Sequence, residues 1–241
     1  MTASGDLSGG PGVFITFEGG DGVGKTTQIA LLRNRLEALG HAVVVSREPG
    51  GAPGAEEIRK LLVTGSTDRW SAKTEALLMN AARTDHLERT ILPALATGKI
   101  VLCDRFADST LAYQGIAGAL TTEWVMALQS LVVGPHMPEL TLVLQMGEAA
   151  ALARATAREE DLKGNDDTAE ANTATETRFE EKGPAFQAQV TQAFTHIAEA
   201  APERCVLIPA DGTPETVAAR IWQTVSNRLP ALAKTTAAKG V

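Results

Sequence analysis

Val13-Phe14-Ile15-Thr16-Phe17-Glu18-Gly19-Gly20-Asp21-Gly22-Val23-Gly24-Lys25-Thr26 decides how the rest of this chain is read. Val13 to Phe17 form a short, almost continuously apolar run, the pattern of a strand covered on both faces in a parallel sheet. Residues 19–26 then satisfy G-x-x-x-x-G-K-[ST], directly after that strand and before an amphipathic pattern. Glycines at this spacing let successive backbone N–H groups turn inward around phosphate oxygens, and the helix N-terminus adds positive potential. Lys25 supplies a cation for the outer phosphates and Thr26 a hydroxyl for magnesium. A glycine-rich helix entry without a ligand explains the full spacing in this context far less well.

Working outward, Ile29, Leu32, Leu36 and Leu39 share one helix face before Gly40 stops the helix. Further strands are predicted at Ala42–Ser46, Ile100–Cys103, Leu140–Leu144 and Cys205–Ile208. Helices are predicted near 54–64, 74–96, 121–133, 148–158, 179–200 and 214–229, the last with Thr213 as N-cap and Pro214 at the first helical position. The alternation reads as an α/β chain with the P-loop NTPase fold: a five-stranded parallel sheet flanked by helices. One domain is expected over residues 12–230, between a disordered tail at 1–11 and a C-terminal tail at 231–241. Glu159 to Glu176 carries seven Asp or Glu, one Lys163 and no clear period, so it reads as a mobile insertion.

Composition narrows the function classes. Across 241 residues the net charge is −7, which argues against a broad footprint on polymeric nucleic acid, because that needs a basic stripe. No apolar run of about 18 residues suggests a membrane span and no basic-then-apolar leader opens the chain, so a cytoplasmic location is expected. Cys103 and Cys205 sit in strand patterns and read as buried thiols. The four histidines, at 41, 86, 136 and 196, show no metal-ligand spacing, and packing or surface roles are expected for them.

Two further segments suit chemistry. Lys99 to Asp104 is an apolar strand ending in a carboxylate able to hold magnesium, and Arg105 beside it suits a phosphate. An Asp ending a strand also serves as a cap or turn residue, but the adjacent guanidinium favours the functional reading. Arg47-Glu48-Pro49-Gly50-Gly51 follows the second strand and emerges at the carboxyl edge of the sheet, where open α/β sheets bind ligands. Arg47 is a candidate ligand for a second phosphate, although Pro-Gly-Gly alone would also make a surface turn.

Phe17 to Gln28, Arg47 to Gly51, Ala81-Ala82-Arg83, and Asp104-Arg105-Phe106 with Ser109-Thr110 and Tyr113-Gln114-Gly115 together resemble the thymidylate kinase family, in its bacterial branch. The resemblance implies transfer of the γ-phosphoryl of ATP to dTMP with Mg2+, by a homodimer. It implies ATP binding by Gly19, Gly20, Asp21, Gly22, Val23, Gly24, Lys25, Thr26 and Thr27, and metal binding by Thr26, Asp104 and Asp21. It assigns dTMP to Arg47, Glu48, Met79, Arg83, Arg105, Ser109, Thr110, Tyr113 and Gln114, with Arg83 reaching the base and Met79 where the family usually has Phe. Gly22 and Val23 leave the loop without an internal arginine, which implies basic lid residues at about 154–180, from among Arg154, Arg158, Lys163 and Arg178. Lys25, Arg105, Asp21 and Arg178 are then the expected catalytic set. The rivals are a kinase for another nucleoside monophosphate and a non-catalytic nucleotide-binding module.

Overall fold

The computed structural model describes residues 12–147 and 183–235. In chain order the described elements are β1 (Val13–Glu18), α1 (Lys25–Ala38), β2 (Val43–Arg47), α2 (Pro53–Val63), α3 (Ala72–His86), α4 (Leu92–Ala96), β3 (Ile100–Asp104) and α5 (Ala107–Thr110). They continue with α6 (Thr122–Val132), β4 (Leu140–Gln145), α7 (Pro184–Ala200), β5 (Cys205–Pro209) and α8 (Pro214–Arg228). The strands make one five-stranded sheet in the order β2-β3-β1-β4-β5, with every pairing parallel.

Alternation along the strands divides the core between the two sheet faces. Ile15 and Phe17 of β1 pack with Leu102 of β3, Leu142 of β4, Leu32 and Leu36 of α1, and Ile221 and Val225 of α8. Phe14, between them, faces the other way and joins Val101, Cys103, Ile91 and Phe106, its ring meeting that of Phe106 edge-on at 4.9 Å. Because both faces of the central strands are covered, they read as nearly continuous apolar runs, and the edge strand β2 opens with three valines, which is why all of them were visible in the sequence. Cys103 and Cys205 are buried free thiols.

Register positions the site. Phe17 of β1 and Arg47 of β2 both pair with Asp104 of β3, so the loops after these three strands leave from one edge. The glycine loop, the Arg47–Gly51 loop and the Arg105 turn are therefore neighbours. Ser71, Thr121 and Thr213 each accept a backbone N–H as N-cap, and Pro214 opens α8 as expected.

Three local expectations change. The helix expected over 74–96 is interrupted by a π-helical turn, Leu87–Ile91, just before Pro93, which has no N–H to give to the preceding turn. After β3 the chain forms α5 and a second π-helical turn, Leu111–Ile116, that periodicity did not flag. The polar Asp108, Thr110 and Gln114 are buried there beside Ala107 and Ala112, so no apolar stripe marks the helix. At the C-terminus, a 3-10 turn over Pro230–Ala233 brings Leu232 into the main core, so residues 231–233, expected in the tail, belong to the folded chain. The helix expected at 148–158, the lid expected at 154–180 and the tail expected at 1–11 lie outside the described residues.

Candidate active site

The glycine loop crosses from β1 to α1 with Gly19, Gly22 and Gly24 at φ of 129°, 75° and 95°. Gly19 has a second requirement: a Cβ there would lie 2.3 Å from the backbone oxygen of Leu144. The Lys25 side chain folds back over the loop and donates to the carbonyls of Gly20 at 2.9 Å and Gly19 at 3.3 Å. Burial and the neighbouring Arg105 push its pKa down to about 8, against the opposing pull of Asp104, Asp21 and Glu18.

Across from Lys25, Arg105 is the one non-glycine residue at positive φ, 66°, among the described residues. Its backbone N–H reaches the carbonyl of Phe17, and its guanidinium pairs with Asp21 and donates to Ser109 Oγ at 3.2 Å. Burial alone would raise the Asp21 carboxyl, but Arg105 and Lys25 hold it below the usual range. Burial pushes the Tyr113 phenol up to about 12, so it stays protonated and donates to Asp21 Oδ2 at 3.4 Å.

These groups line a cleft of about 450 Å³. Of the residues expected at the site, Asp21, Gly22, Gly24, Lys25, Thr26, Thr27 and Asp104 line one part. Arg47, Glu48, Met79, Arg83, Arg105, Ser109, Thr110, Tyr113 and Gln114 line the remainder. Gly19, Gly20 and Val23 do not line it: the two glycines lie behind Lys25, and Val23 packs against the core. Arg47 stands at the rim, half exposed and paired with Glu56 at 3.2 Å. Glu48 turns inward instead, one oxygen accepting from Arg83 and the other facing His86, so it holds side chains in place while still lining the cleft. Arg178, Arg154, Arg158 and Lys163 lie outside the described residues.

Whether the site fits magnesium is tested by one orphaned atom. Asp104 Oδ1 is buried at the end of β3 with no hydrogen-bond partner among the described residues, an arrangement that leaves a carboxylate oxygen for a cation. With Thr26 and Asp21 in the same cleft, the donor set is all oxygen, as a hard cation requires. Among the described residues there is no cluster of three or more His, Cys, Asp or Glu that could hold a metal alone. Magnesium suits that sparseness, because it keeps few protein ligands and takes the rest from phosphates and water.

Comparison with known proteins then decides the family. The family model for thymidylate kinase matches residues 17–221. The chain belongs to the thymidylate kinase family. It is 50% identical over 218 residues to the thymidylate kinase of Caulobacter vibrioides, covering 90% of this chain and 98% of that protein. It is 46% identical over 220 residues to that of Ruegeria pomeroyi, covering 91% and 97%. The crystal structure of the Ehrlichia chaffeensis thymidylate kinase matches the fold with a TM-score of 0.68 at 29% identity, covering 90% of this chain and all of that one.

For a member of this family, several site residues escaped the sequence reading. Phe106, Pro49, Val63 and Arg59 also line the cleft, the last donating to the carbonyl of Pro49 at 2.6 Å. Behind the wall, Glu18 clasps the Arg105 turn, Glu75 accepts from Gln114 at 2.8 Å, and Asn80, Glu48 and His86 support Arg83. Glu18 carried the same signal as Asp104, a carboxylate ending an apolar strand. Glu48, Pro49 and Phe106 stood inside motifs already quoted, whereas Arg59, Val63, Glu75, Asn80 and His86 carried no signal, because their role depends on which helix packs behind the cleft.

Proposed function

We infer from the family and the site together that this chain is a dTMP kinase: it transfers the γ-phosphoryl group of ATP to dTMP, giving ADP and dTDP. The observation that carries this reading is one cleft with a phosphate-binding loop on one side and Arg105 with Arg83 on the other. A nucleotide-binding module would have no use for the second half. Transfer needs two nucleotides held in line and the charge on the moving group neutralised, with little covalent work from the protein.

In this reading Lys25 faces the ATP phosphates, Arg105 and Arg47 orient the attacking phosphate oxygen, and Arg83 takes the base. Tyr113 lies under the sugar. A phosphate acceptor is already ionised, so no general base is required. Thr26, Asp104 and Asp21 would hold magnesium, which would supply charge neutralisation at the phosphate oxygens. Arg178 is assigned, with Lys25, to the transferring group.

The exposed apolar side chains Leu77 of α3 and Met126 and Leu131 of α6 lie on helices that pack together, which supports a homodimer through this face. Among the described residues no helix is long and apolar enough to cross a membrane, which fits the cytoplasmic location we assign.

A coupled ADP-release assay over dTMP, dUMP and dCMP tests the acceptor. Turnover should be highest with dTMP. Equal or better turnover with dUMP or dCMP overturns the thymidylate assignment, and ATP binding without transfer to any monophosphate overturns the kinase reading.

A further inference from the structure

Behind the acceptor half of the cleft runs a buried hydrogen-bond chain that phosphoryl transfer does not use. Ser46 Oγ lies 2.6 Å from His86 Nε2, and His86 Nδ1 lies 3.0 Å from Glu48 Oε1. Glu48 Oε2 in turn accepts from Arg83 Nε at 2.8 Å. His86 is 0% exposed, Arg83 2% and Glu48 6%. An ionised carboxylate only accepts, so Nδ1 carries the ring proton toward Glu48. In the neutral ring Nε2 then accepts from the Ser46 hydroxyl, and each atom in the chain has a partner of the right kind.

Gly51 closes the chain from above. A Cβ there would meet Ser46 Oγ at 2.3 Å and His86 Nε2 at 2.4 Å, at a φ of +82°. The second glycine of Arg-Glu-Pro-Gly-Gly is therefore the roof over this pair, beyond any need of the turn itself.

At the far end, the donors of Arg83 can be counted. A guanidinium has five N–H groups. Nε goes to Glu48, Nη1 to Asn80 Oδ1 at 3.3 Å, and Nη2 to the Phe106 carbonyl at 3.0 Å and Thr110 Oγ1 at 3.1 Å. One Nη1 N–H is left over among the described residues, on a side chain that lines the cleft. The Phe106 ring, 5.1 Å from the guanidinium carbon, braces its face.

We propose that His86 is a positioning residue for the acceptor base: through Glu48, and seated by Ser46 and Gly51, it fixes Arg83 so that its spare N–H meets a ring carbonyl. The proposal rests on the reading that Arg83 faces the base. A guanidinium can only donate, so a fork held in this way favours a pyrimidine presenting a keto oxygen over one presenting an amino group. Losing the relay releases Glu48 to pair differently and lets the fork turn.

The test is steady-state kinetics with dTMP and ATP varied separately for His86→Leu, His86→Asn and Arg83→Lys. His86→Leu should raise KM for dTMP about tenfold, the effect of one lost hydrogen bond to a charged group, with KM for ATP within about twofold of the unaltered chain. His86→Asn, whose amide N–H can replace that of Nδ1, should recover most of the loss. Arg83→Lys should raise KM for dTMP at least as much as His86→Leu. If Arg83→Lys does so while both His86 variants match the unaltered chain, the relay is overturned and the site reading stands. If Arg83→Lys leaves KM for dTMP unchanged, the site reading fails and the relay with it. Should His86→Leu not fold, His86→Asn decides alone: a small rise for dTMP only supports the relay, whereas no rise, or equal rises for both substrates, overturns it.

Discussion

Glu18 shows how much of the site depends on a residue that does not line the cleft. Its Oε1 accepts from the backbone N–H of Phe106 at 2.8 Å and of Ser109 at 3.2 Å, and its Oε2 from Ser109 Oγ at 2.6 Å. These bonds hold the turn on which Arg105 sits at positive φ. Burial, then repulsion from Asp108, push the carboxyl up to about 7, despite the pull of Arg105 and the bonds from Ser109 and Phe106. Between the ordinary value of 4.5 and about 7, the folded chain keeps a proton that the unfolded chain has released. Stability from this group is therefore complete at low pH, falls as pH rises through that window, and levels off above it, by about 3 kcal/mol at most. Glu18→Gln removes the titration, so in urea unfolding the variant should gain on the unaltered chain between about pH 5 and about pH 7.5. A difference that stays flat with pH would show that Glu18 does not titrate in this range. On the donor side, Arg178→Ala should lower kcat by about a hundredfold with little change in KM for ATP, if its guanidinium acts only on the transferring group. An unchanged kcat removes Arg178 from the mechanism.

At the scale of the elements, the strand ends carry the candidate site. β1 passes into the glycine loop, β2 into the Arg47 loop and β3 into the Arg105 turn, all from one edge. The loop leaves no room for variation at Gly19, whose Cβ would press on the β4 backbone at a φ closed to other residues. Gly19→Ala should cost about 3 kcal/mol or more in urea unfolding, because the contact is with backbone that cannot move aside. An unfolding midpoint equal to that of the unaltered chain would falsify this account of the loop. The strands and α1, α6 and α8 were legible because a buried parallel strand is a plain apolar run, and Val217, Ile221 and Val225 keep a helical period. The stretch after β3 was not, since Asp108 and Gln114 point inward to partners on distant elements, Arg204 and Glu75.

For the whole molecule, exposed apolar area on α3 and α6 bears on assembly. Leu131 is 84% exposed, an unusual setting for a side chain of that size on a monomer, while Met126 and Leu77 are about half exposed. If the chain pairs through this face, as proposed above, Leu131→Glu should give a monomer where the unaltered chain gives a dimer in analytical ultracentrifugation at micromolar concentration, while leaving the unfolding transition of the chain in place. A dimer that persists unchanged would move the interface elsewhere. The local sequence alone determined the fold class, the phosphate loop, the Asp104–Arg105 pair and the family to which they point. Each of those signals is written in consecutive residues, where backbone sterics and strand or helix period act. Only the tertiary structure decided that Glu48 is engaged with Arg83 and His86, that Asp104 keeps an oxygen without a partner among the described residues, and that Glu18 braces Arg105. Those outcomes depend on which side chains from separated segments share one buried space. There, every donor and acceptor must find its partner across the fold.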